Sequence, residues 1–205
     1  MKDSGIISLV GMTGCGKTSI GRRLADILGA DFIDLDEEIV KRRGEVKQIF
    51  ATEGEEAFRK IECEVLTEIL NSLRIQADIS ENTASEENPV HPKVRVILSC
   101  GGGAPTYPRT RDLIRKRTVV VWIRRPLSSI SPDSPLLERP PVNGSLKNYR
   151  QILGKRFPIY RHIADHTFWN TYPNRTANAI ADALRSGKTQ KKPDKKANKT
   201  AAAKA

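Results

Sequence analysis

The clearest chemistry in the 205-residue chain sits in Gly11-Met12-Thr13-Gly14-Cys15-Gly16-Lys17-Thr18, which fits G-x-x-x-x-G-K-[ST] at every fixed position. Glycines at these spacings let successive backbone N–H groups turn inward around a phosphate. The lysine reaches the β- and γ-phosphates of a nucleotide, and the threonine hydroxyl can sit on Mg²⁺. A second chemical pair follows at Asp34 and Asp36. In an extended chain, a spacing of two puts both acids on one side. One of them could hold Mg²⁺ through water, and the other could accept a proton or hydrogen bond from an attacking hydroxyl.

The elements around these residues fit the chemistry. Ile6–Val10 reads as a buried strand and Ser19–Gly29 as a helix with Ile20, Leu24, Ile27 and Leu28 on one face. That strand–loop–helix context separates the glycine motif from a chance turn, and the helix N-terminus adds partial positive charge at the phosphates. Residues 30–36 read as a second strand whose carboxyl end would line the crevice of a parallel sheet. The same acids also suit the first turn of a helix over Glu37–Arg43, so both readings stand at this stage. Val94–Leu98 is a third strand. It ends in Ser99-Cys100-Gly101-Gly102-Gly103-Ala104-Pro105, three glycines that allow either a close backbone approach to a ligand or an ordinary turn. The strand carries no acid, which leaves Asp34 as the better metal partner.

Further helices are expected at Val46–Ala51, Glu55–Leu73, Pro108–Lys116, Leu146–Ile163 (bent near Pro158) and Asn174–Arg185, and strands at Thr118–Ile123 and His166–Trp169. Arg59 lies on the second of these helices, where an arginine ordinarily faces solvent, and the pattern gives no reason to place it otherwise. Arg74–Lys93 reads as an acidic loop. Arg124–Ser145 is rich in proline and serine and holds Arg139; a long segment of that kind beside a phosphate site reads as a lid. Strands alternating with helices predict a three-layer α/β/α domain over residues 1–185, with a central parallel sheet of about five strands.

Composition narrows the function classes. Seven of the 35 basic residues crowd into the last 20 positions with one aspartate, so the tail carries +6 of the net charge of +11. With no aromatic residue and no periodicity, residues 186–205 read as a disordered lysine-rich tail rather than a specific nucleic-acid surface. Cys15, Cys63 and Cys100 have no metal or disulfide spacing and suit a reducing compartment, and His91, His162 and His166 show no metal pattern. No apolar run reaches membrane-spanning length. A soluble, cytoplasmic monomer with no membrane or specific nucleic-acid partner is expected.

Taken together, the motifs resemble the shikimate kinases, small members of the nucleoside-monophosphate-kinase-like P-loop group. The resemblance rests on Gly11–Thr18 with Gly21-Arg22-Arg23-Leu24-Ala25, Asp34-Leu35-Asp36, Phe50-Ala51-Thr52-Glu53-Gly54-Glu55, and Phe58-Arg59-Lys60-Ile61-Glu62. It continues through Gly101-Gly102-Gly103-Ala104, Arg139-Pro140 and Lys155-Arg156 with Pro158, Tyr160 and Arg161. It implies ATP-dependent phosphorylation of the 3-hydroxyl of shikimate, with ATP and Mg²⁺ as co-substrate and metal. By this likeness Asp36 binds the substrate hydroxyls and orients or deprotonates the attacking one, while Thr18 and Asp34 hold the metal. Arg59 and Arg156 grip the carboxylate, and Gly101, Gly102 and Gly103 line the ring. Gly14, Cys15, Gly16, Lys17, Thr18 and Ser19 hold the nucleotide, Lys17 and Arg139 act on its phosphates, and Arg175 flanks adenine. The alternative on the same fold is a gluconate-type kinase, which would not need two arginines for a ring carboxylate.

Overall fold

The computed structural model describes residues 3–81, 94–130, 134, 142 and 145–186. Five parallel strands form one sheet in the order β2-β3-β1-β4-β5: β1 (Asp3–Val10), β2 (Asp31–Asp34), β3 (Val96–Ser99), β4 (Thr118–Arg124) and β5 (His166–Trp169). The central strand β1 is buried on both faces, and its pleat sorts its side chains. Ile6 and Val10 join one core with Leu98, Val120 and Trp122; Ile7 and Leu9 join the other with Ile97, Val121 and Ile123.

Two helices cover the second core, α1 (Lys17–Leu28) and α7 (Pro173–Ser186), through Ile20, Leu24, Ala177, Ile180 and Ala181. The first core is covered by α2 (Leu35–Arg43), α3 (Val46–Thr52), α4 (Gly54–Glu81), α5 (Pro108–Arg117) and α6 (Leu146–Ile163), through Leu35, Ile39, Phe58, Leu66, Ile114, Tyr149 and Tyr160. This is the three-layer arrangement that the strand–helix alternation predicts. From β1 the chain crosses outward to β2 and β3, then returns to β4 and β5, so the order reverses at β1. A reversal of this kind opens a crevice at the carboxyl ends of the strands, and the Gly11–Thr18 loop leaves β1 at that end.

Several element ends shift by one to three residues, and two boundaries differ in ways that bear on the site and the loops. Strand β2 stops at Asp34, so Asp36 belongs to the first turn of α2 rather than to an extended strand end. The long helix α4 runs on to Glu81, eight residues into the stretch expected to be loop from Arg74. No proline or glycine interrupts residues 74–81, and nothing there stops helix propagation. The remainder of that loop, the tail beyond Ser186 and most of residues 131–144 lie outside the described residues. Among the described residues, no helix is long and apolar enough to cross a membrane.

Candidate active site

The phosphate loop closes around its own lysine. Lys17 Nζ donates to the carbonyls of Gly11 at 3.0 Å and Met12 at 3.1 Å and is nearly buried. Gly16, which precedes α1, has φ of +98°, and a Cβ there would overlap the Asn170 amide. Only glycine meets both demands. Asn170 in turn donates to the Cys15 carbonyl at 2.8 Å. Cys15 itself points into the core, and burial pushes its thiol pKa up, so the loop cysteine is held as an inert thiol.

Asp34 sits where both readings of these acids put it, at the carboxyl end of β2 and immediately ahead of α2. Its Oδ1 accepts from the Asp36 N–H at 3.1 Å and caps α2, while its Oδ2 accepts from the Thr18 hydroxyl at 2.8 Å. One carboxylate therefore links the start of α2 to the start of α1. A hydroxyl and a carboxylate held together form an all-oxygen donor set, which fits a hard cation such as Mg²⁺. A cavity of about 700 Å³ opens above this pair, lined by Gly14, Gly16, Lys17, Thr18, Ser19, Asp34, Asp36 and Gly102 among others. Both acids reach it despite belonging to different elements.

Beneath the glycine loop lies a buried charge cluster. Arg59 is 6% exposed, not solvated as a helical arginine ordinarily is. Its guanidinium donates to Glu62 at 2.8 Å and to Glu55 at 3.0 Å and stands over the rings of Phe50 and Phe58. Glu62 is wholly buried, and its Oε1 has no hydrogen-bond partner among the described residues. Burial raises its pKa to about 7, against the charges of Arg59 and Arg156 and with that of Asp36. Arg156, also buried, shares this field. Two of the predicted substrate residues thus meet one carboxylate that the sequence reading left without a role: Arg59 bonds Glu62 directly, and Asp36 faces it across Gly101.

The glycines are explained by that cluster. A Cβ on Gly101 would stand 2.5 Å from Glu62 Oε1 and 3.0 Å from Asp36 Oδ1, and one on Gly103 would overlap the Arg59 guanidinium. The run permits close approach of charged side chains and is not merely a turn. Helix α6 braces both loops from one face, because Tyr149, Arg156 and Tyr160 recur at helical spacing. The Tyr149 hydroxyl donates to the Thr13 carbonyl at 3.1 Å, and the Tyr160 hydroxyl donates to the Gly102 carbonyl. Burial pushes both phenols well above their ordinary range, so they remain donors.

Two expected residues stand apart. Arg175 projects from the first turn of α7, exposed, with its guanidinium 5.3 Å from the centre of the Tyr172 ring. Tyr172 is the one of the two that lines the cavity. Arg139 lies outside the described residues. Besides Glu62, the sequence reading missed Tyr149 and Asn170. Glu62 had a signal, its i,i+3 spacing from Arg59 within Phe58–Glu62; the other two had none.

Comparison with known proteins agrees with this geometry. A family model described as shikimate kinase matches residues 13–76 and 81–185. A shikimate kinase from Francisella tularensis subsp. holarctica is 38% identical over 166 residues, covering 78% of this chain and 81% of its own. A solved shikimate kinase from Acinetobacter baumannii, in complex with shikimate, superposes with a TM-score of 0.69 at 30% identity and covers 92% of this chain and 97% of its own. A gluconokinase from Sinorhizobium meliloti gives a TM-score of 0.51 at 20% identity over 91% of this chain and 97% of its own, a likeness of fold alone.

Proposed function

The chain belongs to the shikimate kinase family, and from that premise we propose the residue roles by which it moves the γ-phosphoryl group of ATP to the 3-hydroxyl of shikimate. The observation that carries the reading is the buried Arg59–Glu62 pair packed, together with Asp36, against Gly101 and Gly103, beside the cavity that holds Lys17 and Thr18.

Phosphoryl transfer asks a protein mostly for positioning and charge neutralisation. Arg59 and Arg156 bind the shikimate carboxylate, with Glu62 and Glu55 fixing the Arg59 fork so that few rotamers must be frozen on binding. Asp36, exposed at the start of α2, accepts from the 3-hydroxyl and aligns it or takes its proton. Gly101, Gly102 and Gly103 bring the backbone against the ring. Gly14, Cys15, Gly16 and Ser19 surround the triphosphate, mainly through backbone N–H groups. Lys17 leaves its two carbonyl partners for the phosphates, and Arg139 adds a second cation. Thr18 and Asp34 hold Mg²⁺, which when bound neutralises charge on the phosphate oxygens. Tyr172 and Arg175 stand at the side of the cavity where adenine binds. A cytoplasmic monomer is the setting expected for it, and three free cysteines suit a reducing compartment.

An ADP-release assay tests the substrate directly, with shikimate, gluconate and a nucleoside monophosphate offered side by side in the presence of ATP and Mg²⁺. Shikimate-dependent release far above the other two is expected. Equal or greater release with gluconate would return the second kinase reading to favour.

A further inference from the structure

The phosphate loop is gripped from outside by a residue that neither the motif nor the family likeness assigns. Strand β4 ends at Arg124, and Arg125 follows it, the two side chains taking different partners. The Arg124 guanidinium is wedged among aromatic rings, 4.0 Å from the centre of Trp169, 4.9 Å from Trp122 and 5.2 Å from Phe157. Its carbonyl accepts from the Asn170 N–H at 2.7 Å. The backbone at this point is therefore fixed. Arg125 reaches back to the phosphate loop, and all three of its guanidinium nitrogens are engaged. Nη1 donates to the Gly14 carbonyl at 2.9 Å; Nε and Nη2 donate to the Oγ and the carbonyl of Ser129, at 2.9 Å and 3.0 Å.

Gly14 has φ of +75°, and a glycine peptide in that region turns over at little cost. In such a loop the direction of each carbonyl decides where the neighbouring N–H groups point. Asn170 already fixes the next carbonyl, that of Cys15. Arg125 fixes the one before it and adds a full positive charge beside the cavity, which Arg125, Pro126 and Ser129 line together with Gly14.

We propose that Arg125 is a nucleotide-positioning residue: its fork clamps the Gly14 peptide in the phosphate-binding orientation and ties it to the short turn at Leu127–Ser129. The proposal deepens the kinase reading and rests on it. It concerns the ATP side only, because no bond of Arg125 reaches the Arg59–Glu62 cluster.

The test varies ATP at saturating shikimate, and then the reverse, for wild type, Arg125→Ala, Arg125→Lys and Ser129→Ala, with thermal unfolding measured on each. Arg125→Ala should raise the KM for ATP about tenfold, the scale of one hydrogen bond from a charged donor, and leave the KM for shikimate within about twofold. Lysine keeps the charge but cannot span Gly14 and Ser129 together, so Arg125→Lys should stay close to the alanine variant. Ser129→Ala removes one anchor and should raise the ATP KM less, in the same direction; it carries the test alone if Arg125→Ala fails to fold. An unchanged ATP KM, a parallel rise in both KM values, or full recovery with lysine would overturn the proposal. Wild-type enzyme inactive on shikimate would instead overturn the reading beneath it, whereas active wild type with unaffected variants would sink the clamp alone.

Discussion

Glu62 Oε2 accepts from Arg59 Nη1 at 2.8 Å, and both side chains are withdrawn from water beneath the glycine loop. The remaining oxygen of Glu62 has no hydrogen-bond partner among the described residues. A buried pair of this kind contributes little net stability, but removing one member strands the other. In the proposed reading its use is positional, because it fixes the Arg59 guanidinium against Gly103. Glu62→Gln keeps the shape and one acceptor while removing the charge. The KM for shikimate should rise, by about tenfold on the scale of one charge-assisted hydrogen bond, with the KM for ATP unchanged. Initial-rate kinetics with each substrate varied in turn separates the two, and a shikimate KM at the wild-type value would remove Glu62 from the positioning of Arg59.

The same residue makes stability depend on pH. Its pKa rises from 4.5 to about 7 on folding, chiefly through burial. Between these values the folded state holds the proton more tightly than the unfolded chain does. The contribution of Glu62 is therefore complete below pH 4.5, declines as pH rises toward 7, and is constant above. The slope it adds is at most about 1.4 kcal/mol per pH unit. Urea unfolding at pH 5 and pH 7 should show wild type losing more stability on that step than Glu62→Gln, and equal losses would contradict the raised value.

Gly103→Ala tests the close packing directly. The new Cβ would fall on the Arg59 guanidinium, which is pinned by Glu62 and Glu55 and cannot swing away without breaking both bonds. Overpacking at such a point costs roughly 1–3 kcal/mol. The expected result is a lower melting temperature together with a raised KM for shikimate. Gly154→Ala, whose added Cβ meets open space on the exposed face of α6, is the control that should leave shikimate binding intact.

Much of this site is legible in the sequence. The phosphate loop announces itself because its glycines, lysine and threonine are fixed by backbone geometry at set spacings. The helical periods of α4 and α6 are marked by their apolar faces. What stays hidden is the meaning of charge on a helix. An Arg59–Glu62 pair three residues apart looks the same whether it lies in solvent or under a loop, and only the arrival of Gly101–Gly103 from β3 decides between them. Arg125 is hidden for a related reason. Its partner Gly14 lies 111 positions away, and its own surroundings, rich in proline and serine, read as a lid whose marked arginine is Arg139. Asp34 ends a strand and starts a helix at once, because its two oxygens accept separately from the Asp36 N–H and the Thr18 hydroxyl.

Asp36 is expected to act on turnover rather than on nucleotide binding. It sits in the cavity near Gly101, outside the cradle formed by Gly14–Thr18. Asp36→Asn keeps the size and one acceptor but loses the charge that draws the hydroxyl proton. A positioned acid–base group is worth roughly 10²- to 10⁴-fold. Turnover should fall within that range, with the dissociation constant for ATP, measured by calorimetry, unchanged. Wild-type turnover would remove Asp36 from the chemistry.

Asp34→Ala should separate a structural loss from a metal-dependent one. Removing Oδ1 uncaps α2, which costs typically about 1 kcal/mol of stability. Removing Oδ2 leaves the Thr18 hydroxyl without its acceptor and takes away half of the oxygen donor set. The stability loss should appear in urea unfolding without any metal present. The second effect should appear as a rise in the Mg²⁺ concentration needed for half-maximal activity at saturating ATP and shikimate. Asp34→Asn supplies the decisive contrast. Its amide oxygen can still cap α2, so stability should largely recover, while a neutral ligand binds a hard cation more weakly and the raised Mg²⁺ requirement should persist. If asparagine restored both, Asp34 would be a helix cap alone, and the metal partner of Thr18 would have to be sought elsewhere in the crevice.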